Sequence, residues 1–155
     1  MKTSLSLPAG STRVLLSVGK GTGVVFAMII GASRTLVQVS RSADHGVTWT
    51  NMGVPTPPIF PGAQGGENGA IAADPTNPNV VFIAGDRQDG PPFPNPNGCN
   101  DFSANVFRGD ASVLPDNPWI CVVCSGALGS SPHADSRTMV FDSSGNLLHG
   151  NDGVW

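Results

Sequence analysis

The stretch S-A-D-H-G-V-T-W, residues 42–49, reads S-x-D-x-G-x-T-W and lies beside strand-like runs of apolar and β-branched residues. This arrangement predicts a hairpin turn. The Asp44 carboxylate can accept backbone N–H groups across the turn, Gly46 can adopt a positive φ, and Trp49 can cover the turn with its ring. We therefore interpret the pattern as structural. Its residues are Ser42, Asp44, Gly46, Thr48 and Trp49.

The composition favours an all-β fold. The 155 residues include 20 Gly and 14 Pro, and only 12% of them are charged. Val and Ile occur in short runs between turn-forming residues, and no segment has the pattern of a long amphipathic helix. The net charge is −3, and the eight Lys and Arg residues are scattered along the chain without forming a basic stripe. We therefore expect no nucleic-acid partner. The longest apolar run, residues 24–30, is far shorter than the roughly 20 residues of a membrane-spanning helix, so we expect no membrane partner.

The strand-like runs repeat in sets of four. The first set is residues 13–18, 23–30, 35–40 and 47–52, the second is 69–73, 80–84, 105–108 and 119–124, and a third begins at 137–141 and 146–149. The repeat aligns Arg41 with Arg108 and Trp49 with Trp119. It predicts antiparallel four-stranded sheets for residues 11–53 and 69–124, packed face to face.

Residues 42–49 resemble the Asp-box of sialidase-superfamily, or BNR-repeat, β-propellers. Residues 73–82 (A-D-P-T-N-P-N-V-V-F) are similar to the inner-strand turn of BNR-repeat and xyloglucan-hydrolase-type propellers. Residues 133–137 (H-A-D-S-R) and 151–154 (N-D-G-V) are similar to their H-x-D and D-G-G-V segments, although one Gly of the latter is missing. The resemblance covers most of residues 35–155. It implies a scaffold that serves hydrolases, binders and assembly factors alike, so it does not select one activity.

The resemblance implies a single partial β-propeller over residues 1–155. It contains about two and a half four-stranded antiparallel blades, at residues 11–53, 69–124 and 137–155. Propellers usually close with four to eight blades, so we expect a propeller fragment whose remaining blades come from a longer chain or from other copies. A compact β-sandwich with propeller-like hairpins is the alternative.

The location of the protein is left open by the sequence. The first ten residues contain a Pro-broken apolar stretch that is too short for a secretory signal. An extracellular or periplasmic location of the full-length protein is compatible with the resemblance.

Strand order assigns the connections to two ends of the predicted sheets. In an up-and-down sheet, the turn between the third and fourth strands lies opposite the connection between the second and third. The end opposite residues 42–49 then carries the long connections, which are residues 54–68, 86–104 and 125–136. Long loops on a rigid scaffold commonly bind ligands. We therefore predict that this loop-rich face binds a carbohydrate or another extended polar ligand.

The candidate functional residues lie in these loops. Asp135 and Asp152 flank predicted inner strands and form the candidate catalytic pair, one protonated and one ionised, as in glycoside hydrolysis. Structural alternatives stay open, because Asp135 can pair with a neighbouring Arg and Asp152 can be a turn residue. The candidate ligand-binding residues are Asp86, Arg87, His133 and Arg137, of which the first two can also form an ion pair.

One absence excludes a subclass of enzyme. The sequence contains no Tyr, and the sialidase mechanism implied by the resemblance uses a Tyr nucleophile with three Arg. A complete sialidase site is therefore excluded in this chain. The hypotheses that stay open are a glycoside-hydrolase-like propeller acting through two Asp, and a non-catalytic propeller used for binding or assembly. We predict no cofactor.

The three cysteines give a weak signal. Cys121 and Cys124 form a C-x-x-C pattern, but residues three apart on a strand point to opposite faces, and no second pair of ligands follows. We therefore predict packed free thiols and no metal site. A disulfide from Cys99 to one of the other two is an alternative that spacing cannot decide.

Overall fold

The computed structural model describes residues 5–153, which form an all-β fold of three antiparallel sheets. The first sheet contains β1 (Ser11–Val18), β2 (Val25–Gly31), β3 (Leu36–Ser42) and β4 (Thr50–Asn51). The second contains β5 (Ala70–Ala73), β6 (Val80–Arg87), β7 (Ala104–Asp110) and β8 (Trp119–Cys121), and the third contains β9 (Ser136–Phe141) and β10 (Leu147–Asn151). Neighbouring strands are consecutive in sequence throughout. The only helices among these residues are two 3₁₀ turns, Ala111–Val113 and Ser125–Ala127.

The predicted all-β class and the two four-stranded sheets are confirmed. Arg41 pairs with Thr50, and Arg108 pairs with Ile120, so the two sheets share the register that the sequence repeat predicted. Trp49 and Trp119 accordingly occupy equivalent positions. Their indole N–H groups differ in partner, because Trp49 donates within its own turn and Trp119 donates to the carbonyl of Met52.

Two predicted strands are shorter than expected. The run at residues 47–52 contributes only β4, because the N–H of Thr48 donates to the Asp44 carboxylate inside the turn. The run at residues 119–124 ends as a strand at Cys121, and Cys124 has a φ of 54°, which is incompatible with an extended strand. The predicted third segment reaches residue 155, of which residues 154–155 lie outside the described part.

The three sheets pack face to face in series. Between the first and second sheets lies one apolar core, in which Met28 and Val39 meet Val81 and Ile83. Between the second and third sheets lies another core, which includes Ala84 and Met139, with Phe82 contacting Phe141 edge to face at 5.7 Å. The second sheet is therefore covered on both faces.

The sheets approach each other most closely at their first strands. β1 lies beside β5, and β5 lies beside β9. The Ser17 hydroxyl accepts the N–H of Ala73 at 2.8 Å, and Arg13 donates to the carbonyl of Asn68 at 2.8 Å. Increasing residue numbers in β1 thus match increasing numbers in β5, so the first strands run in the same direction. Small side chains make this approach possible, since three of the four residues of β5 are Ala.

Residues 42–49 form the predicted turn between β3 and β4. Asp44 accepts the N–H of Thr48 at 2.8 Å and its hydroxyl at 2.6 Å, and it also accepts the hydroxyl of Ser42 at 2.8 Å. The buried Ser42 hydroxyl in turn accepts the N–H of Gly46, whose φ is 85°. Trp49 covers the turn and donates to the Gly46 carbonyl at 3.0 Å. The turn thus satisfies its polar groups locally, as the sequence predicted.

Asp44→Ala is expected to lower the free energy of unfolding near neutral pH, because three donors lose their acceptor. Hydrogen bonds from the Thr48 hydroxyl and N–H and then from Ser42 lower the pKa of Asp44 from 3.8 to about 2. The carboxylate therefore stabilises the fold above pH 3.8, and this contribution is lost as the pH falls through about 2. Urea unfolding of both proteins across this range measures the difference. Asp116→Ala, at an exposed position in the β7–β8 connection, is the control; equal stability of Asp44→Ala and wild type near neutral pH contradicts the interpretation.

Candidate functional site

The strand directions define two ends of the sheets. Odd-numbered strands run from one end, here called the loop end, to the other, here called the turn end. The connections within each hairpin β3–β4, β5–β6, β7–β8 and β9–β10 lie at the turn end. The connections after β2, β4, β6 and β8 lie at the loop end, where Arg13 ties the start of β1 to the segment before β5.

Four aspartates at the turn end stabilise the turns in which they lie. Each carboxylate accepts backbone N–H groups from residues two to four positions ahead in the chain; they are Asp44, Asp74, Asp110 and Asp142. The side-chain amide and then the N–H of Asn146 lower the pKa of Asp142. These four carboxylates are stably ionised acceptors in local turns, so we assign them a structural role.

All candidate residues predicted from the sequence lie in the loop-end connections or at the strand termini beside them. They are Asp86, Arg87, His133, Asp135, Arg137 and Asp152. The structure brings them together in three groups. One is a buried carboxyl cluster, the second is an ion pair on the β9–β10 hairpin, and the third borders an open groove.

Asp86 is the centre of the buried cluster. It lies near the end of β6 and is fully buried, because the segment at Ile59 crosses directly over Gly85 and accepts the N–H of Asp86 at 2.9 Å. Its Oδ2 accepts the N–H of Gly62 at 3.1 Å, whereas its Oδ1 has no hydrogen-bond partner among the described residues. Burial raises the pKa of Asp86 to about 6, against backbone hydrogen bonds that lower it, and the charge of Asp135 raises it further. Asp86 therefore lies beneath the surface on which direct ligand contact was predicted.

Asp135 belongs to the same cluster through Asn68. The Asn68 amide is buried, and its Nδ2 donates to Asp135 Oδ1 at 2.6 Å and to Gln64 Oε1 at 2.8 Å. The Oδ1 of Asn68 is buried without a hydrogen-bond partner in the described structure. Asp135 adopts a φ of 63°, in the left-handed region. Asp135 does not form the alternative ion pair with Arg137, because Arg137 pairs with Asp152.

Asp152 and Arg137 form the ion pair on the β9–β10 hairpin. Arg137 Nη2 lies 2.6 Å from Asp152 Oδ2, and Nη1 donates to the carbonyl of Glu67 at 3.2 Å. Ser136 pairs with Asn151 in the ladder. Asp135 and Asp152 therefore directly adjoin one ladder pair at the open end of the hairpin, so the predicted catalytic pair lies just outside the ends of two neighbouring strands.

His133 and Arg87 contact Phe102 and Asp101, two residues that line an open groove of about 500 Å³ at the loop end. The ring of His133 stacks on Phe102 with the centroids 6.2 Å apart and the planes 11° apart, and Phe102 is 60% exposed. Arg87 pairs with Asp101 at 3.1 Å, as a surface ion pair. The remaining walls are polar or small; the groove is lined by Asn100, Asp101, Phe102, Ser103, Gly129, Ser130 and Ser131.

A disulfide joins the two loops that form this groove. Cys99, in the β6–β7 connection, is bonded to Cys124, in the β8–β9 connection, and the two Cα atoms are 5.3 Å apart. The prediction of packed free thiols is therefore wrong for these two residues and holds only for Cys121, which is half-buried and free. The expectation that the side chains of Cys121 and Cys124 point to opposite faces of one strand does not hold, because Cys124 lies beyond the end of β8.

A second, apolar cavity of about 340 Å³ lies between the second and third sheets. Phe82, Val106 and Met139 line it, and His149 contributes its polar wall. His149 Nε2 is hydrogen-bonded to the Ser136 hydroxyl at 2.9 Å, and burial lowers the pKa of the imidazole.

Sequence reasoning missed three residues of the loop end. Phe102 is one of two Phe residues in a Gly-, Pro- and Asn-rich loop, and a large apolar side chain in such a loop was an available signal of surface exposure. Asn68 and Asn105 are buried amides in loop or strand-end positions, and nothing in their sequence context distinguished them from the other Asn residues.

No helix within residues 5–153 is long and apolar enough to cross a bilayer. No group of three or more His, Cys, Asp or Glu side chains in this part of the chain is arranged to hold a metal ion.

Comparison of the chain with protein-family models, with curated proteins and with solved structures gave no match. The resemblance to Asp-box propellers therefore depends on the quoted motifs alone.

Asp86→Asn is expected to stabilise the protein near neutral pH. The buffer contains EDTA, so that divalent cations do not contribute to the measured stability. A pKa raised from 3.8 to about 6 means that the folded state binds an extra proton between these values, so the contribution of Asp86 to stability decreases as the pH rises through this window. Above it, the ionised buried carboxylate costs on the order of 3 kcal/mol relative to the unfolded chain. Urea unfolding at several pH values measures the difference between variant and wild type. A difference that is constant across the window contradicts a strongly raised pKa.

Proposed function

We propose that this chain is part of an Asp-box β-propeller of the sialidase superfamily whose loop end binds a carbohydrate. The observation that carries the ligand class is the exposed Phe102 ring, which is stacked on His133 beside a groove with polar walls. Sugars present apolar C–H faces and polar edges, so an aromatic platform flanked by amide, carboxylate and hydroxyl groups matches both.

The stacking of the sheets supports the propeller component of the proposal. Three successive sheets, with first strands side by side and parallel, are the expected arrangement of successive blades around an axis. A groove of about 300 Å³ runs across these strands between Leu15, Ile71 and Thr138, where a propeller has its central channel. A two-sheet sandwich does not account for the third sheet, which continues the series.

Exposed apolar faces at both ends of the series support additional blades. On β1, Leu16 is 61% exposed and Val18 is 67% exposed. On the third sheet, Val140 is 55% exposed and Leu148 is 52% exposed. Faces of this kind are buried between the sheets that are present, so blades from a longer chain or from other copies would cover them.

The disulfide supports an oxidising compartment for the protein. Cys99 and Cys124 connect surface loops, and such bonds persist mainly in secreted, extracellular or periplasmic proteins. These are also the compartments in which polymeric carbohydrates are encountered.

Phe102→Ala is expected to weaken binding of β-glucan or xyloglucan oligosaccharides about tenfold, equivalent to about 1.4 kcal/mol, because the stacking surface is lost. Isothermal titration calorimetry measures the affinity. Leu128→Ala is the matched control, since Leu128 is a fully exposed apolar residue of the neighbouring loop that does not line the groove. Unchanged affinity of Phe102→Ala, or an equal loss in both variants, contradicts the assigned platform.

Hydrolysis is a second candidate, favoured by the neighbouring positions of Asp135 and Asp152 across the hairpin end. Asp152, which pairs with Arg137, would act as the base or nucleophile, and Asp135 would donate the proton to the leaving group. The non-catalytic alternative, a binding or assembly module, assigns both carboxylates to hairpin and loop structure.

Asp135→Asn and Asp152→Asn are each expected to reduce kcat on β-glucan or xyloglucan oligosaccharides by at least about a hundredfold if the chain hydrolyses them. The assay uses the complete protein, with reducing-end formation as the readout. Asp89→Asn, an exposed loop-end carboxylate, is the control. Unaltered turnover in both variants removes the pair from catalysis, and oligosaccharide binding without turnover in wild type favours the binding module.

A further inference from the structure

The cluster around Asp86 contains oxygen atoms that the protein does not satisfy. Asp86 Oδ1 and Asn68 Oδ1 are buried and have no hydrogen-bond partner within residues 5–153, and both residues are at most 1% exposed. Buried polar atoms are nearly always paired, because an unpaired one retains the full cost of leaving water. Two such oxygens in one small loop region indicate a ligand that accepts electron pairs.

A chain of contacts connects the residues that carry these oxygens. Asp86 Oδ2 is bonded to the N–H of Gly62, and the Gln64 side-chain amide adjoins Gly62 on the same side as this carboxylate. Gln64 Oε1 accepts from Asn68 Nδ2, which also donates to Asp135. Since a carboxylate can only accept from Nδ2, the orientation of the Asn68 amide is determined and its Oδ1 is a true oxygen ligand.

The charge of the cluster is not balanced by the protein. The ion pairs of the described residues engage the carboxylates of Glu67, Asp101, Asp110 and Asp152. Within residues 5–153, neither Asp86 nor Asp135 forms an ion pair with an Arg or Lys. A buried carboxyl group whose ionisation is opposed by burial and by the charge of a neighbouring carboxylate favours a bound cation.

The loop that carries these oxygens is fixed before any ligand binds. Arg13 donates to the carbonyls of Gly65 and Asn68 at 3.0 and 2.8 Å, and the N–H of Gly65 bonds to the carbonyl of Arg34. The N–H of Gly69 bonds to Ser136, next to Asp135. A prearranged oxygen set loses little conformational entropy on binding an ion.

We propose that Asp86, Asn68 and Asp135 bind a calcium ion at the loop end. The donors are two carboxylates and one amide oxygen, with no nitrogen or sulfur, which matches a hard cation. Calcium accepts irregular sets of six to eight oxygens and completes them with carbonyls and water, whereas magnesium requires near-octahedral geometry and retains most of its water. The sequence predicted no metal site because these residues are spread over 68 positions, Asn68 to Asp135, without a recognisable spacing.

The ion would have a definite structural consequence. Asp86 belongs to β6 of the second sheet, and Asp135 immediately precedes β9 of the third. A shared ion therefore links two sheets through the loop that precedes β5. This role is independent of whether the groove at Phe102 binds a carbohydrate, and for Asp135 it is an alternative to the role of proton donor in hydrolysis.

The test is a calcium titration of the purified protein, followed by calorimetry and by thermal unfolding against an EDTA baseline. We expect Tm to rise with calcium, with half-saturation between about 10⁻⁴ and 10⁻³ M, the range of extracellular calcium modules. Magnesium at the same concentrations should give a markedly smaller rise. No calcium-dependent rise, or an equal rise with magnesium, overturns the proposal.

Matched variants distinguish a specific site from general ion effects. Asp86→Asn and Asp135→Asn should each weaken calcium binding at least about tenfold, since each removes a charged ligand. Asp89→Asn, at the same end but exposed, should leave it unchanged. Asp86→Asn is expected to be at least as stable as wild type in EDTA, so a lost calcium response in this variant cannot result from misfolding. An unchanged calcium response in both cluster variants overturns the assignment and leaves buried water as the partner of these oxygens.

Discussion

The close approach of β1, β5 and β9 is the constraint on which the rest of the structure depends. β5 reads Ala-Ile-Ala-Ala, and its small side chains let a neighbouring first strand approach on each side. Because the second sheet is buried on both faces, it supplies part of each of the two apolar cores. Parallel first strands also align the ends of all three sheets, so every tight hairpin turn from β3 onward is at one end and every long connection is at the other. The separation of structure from candidate function follows from this packing.

The two ends use carboxylates in opposite ways. At the turn end, Asp44 and its counterparts bind N–H groups of their own turns, and these bonds favour the ionised form. At the loop end, Asp86 is buried with an unpaired oxygen, and desolvation favours its neutral form. A carboxyl group whose buried surroundings disfavour its ionised form lowers the stability of the fold at neutral pH. Groups with strongly shifted pKa values concentrate at functional sites. This contrast, together with the groove at Phe102, is the physical reason to place function at the loop end.

The sequence predicted the all-β class and the two four-stranded antiparallel sheets because the signals for them are local. The turn at residues 42–49 satisfies its donors within eight residues, and the alternation of short apolar runs determined the number and order of strands. The site was predicted only in part. Asp135 and Asp152 adjoin one ladder pair, which strand order implied, but the partners of Asp135 and Asp86 are set by loop packing over long sequence separations. The same limitation applies to Cys99, since only the loop geometry brings it to Cys124.

The loop end is ordered more tightly than its Gly- and Pro-rich composition suggests. The disulfide joins the β6–β7 and β8–β9 connections, and Arg13 holds the segment before β5 by three backbone carbonyls. Buried amides perform the same role, since Asn105 donates to the carbonyls of Pro58 and Arg87. Ordering loops costs conformational entropy that a purely connecting loop need not lose. Covalent, ionic and amide contacts all fix the same end, and this shared rigidity supports the proposal of a prearranged binding surface there.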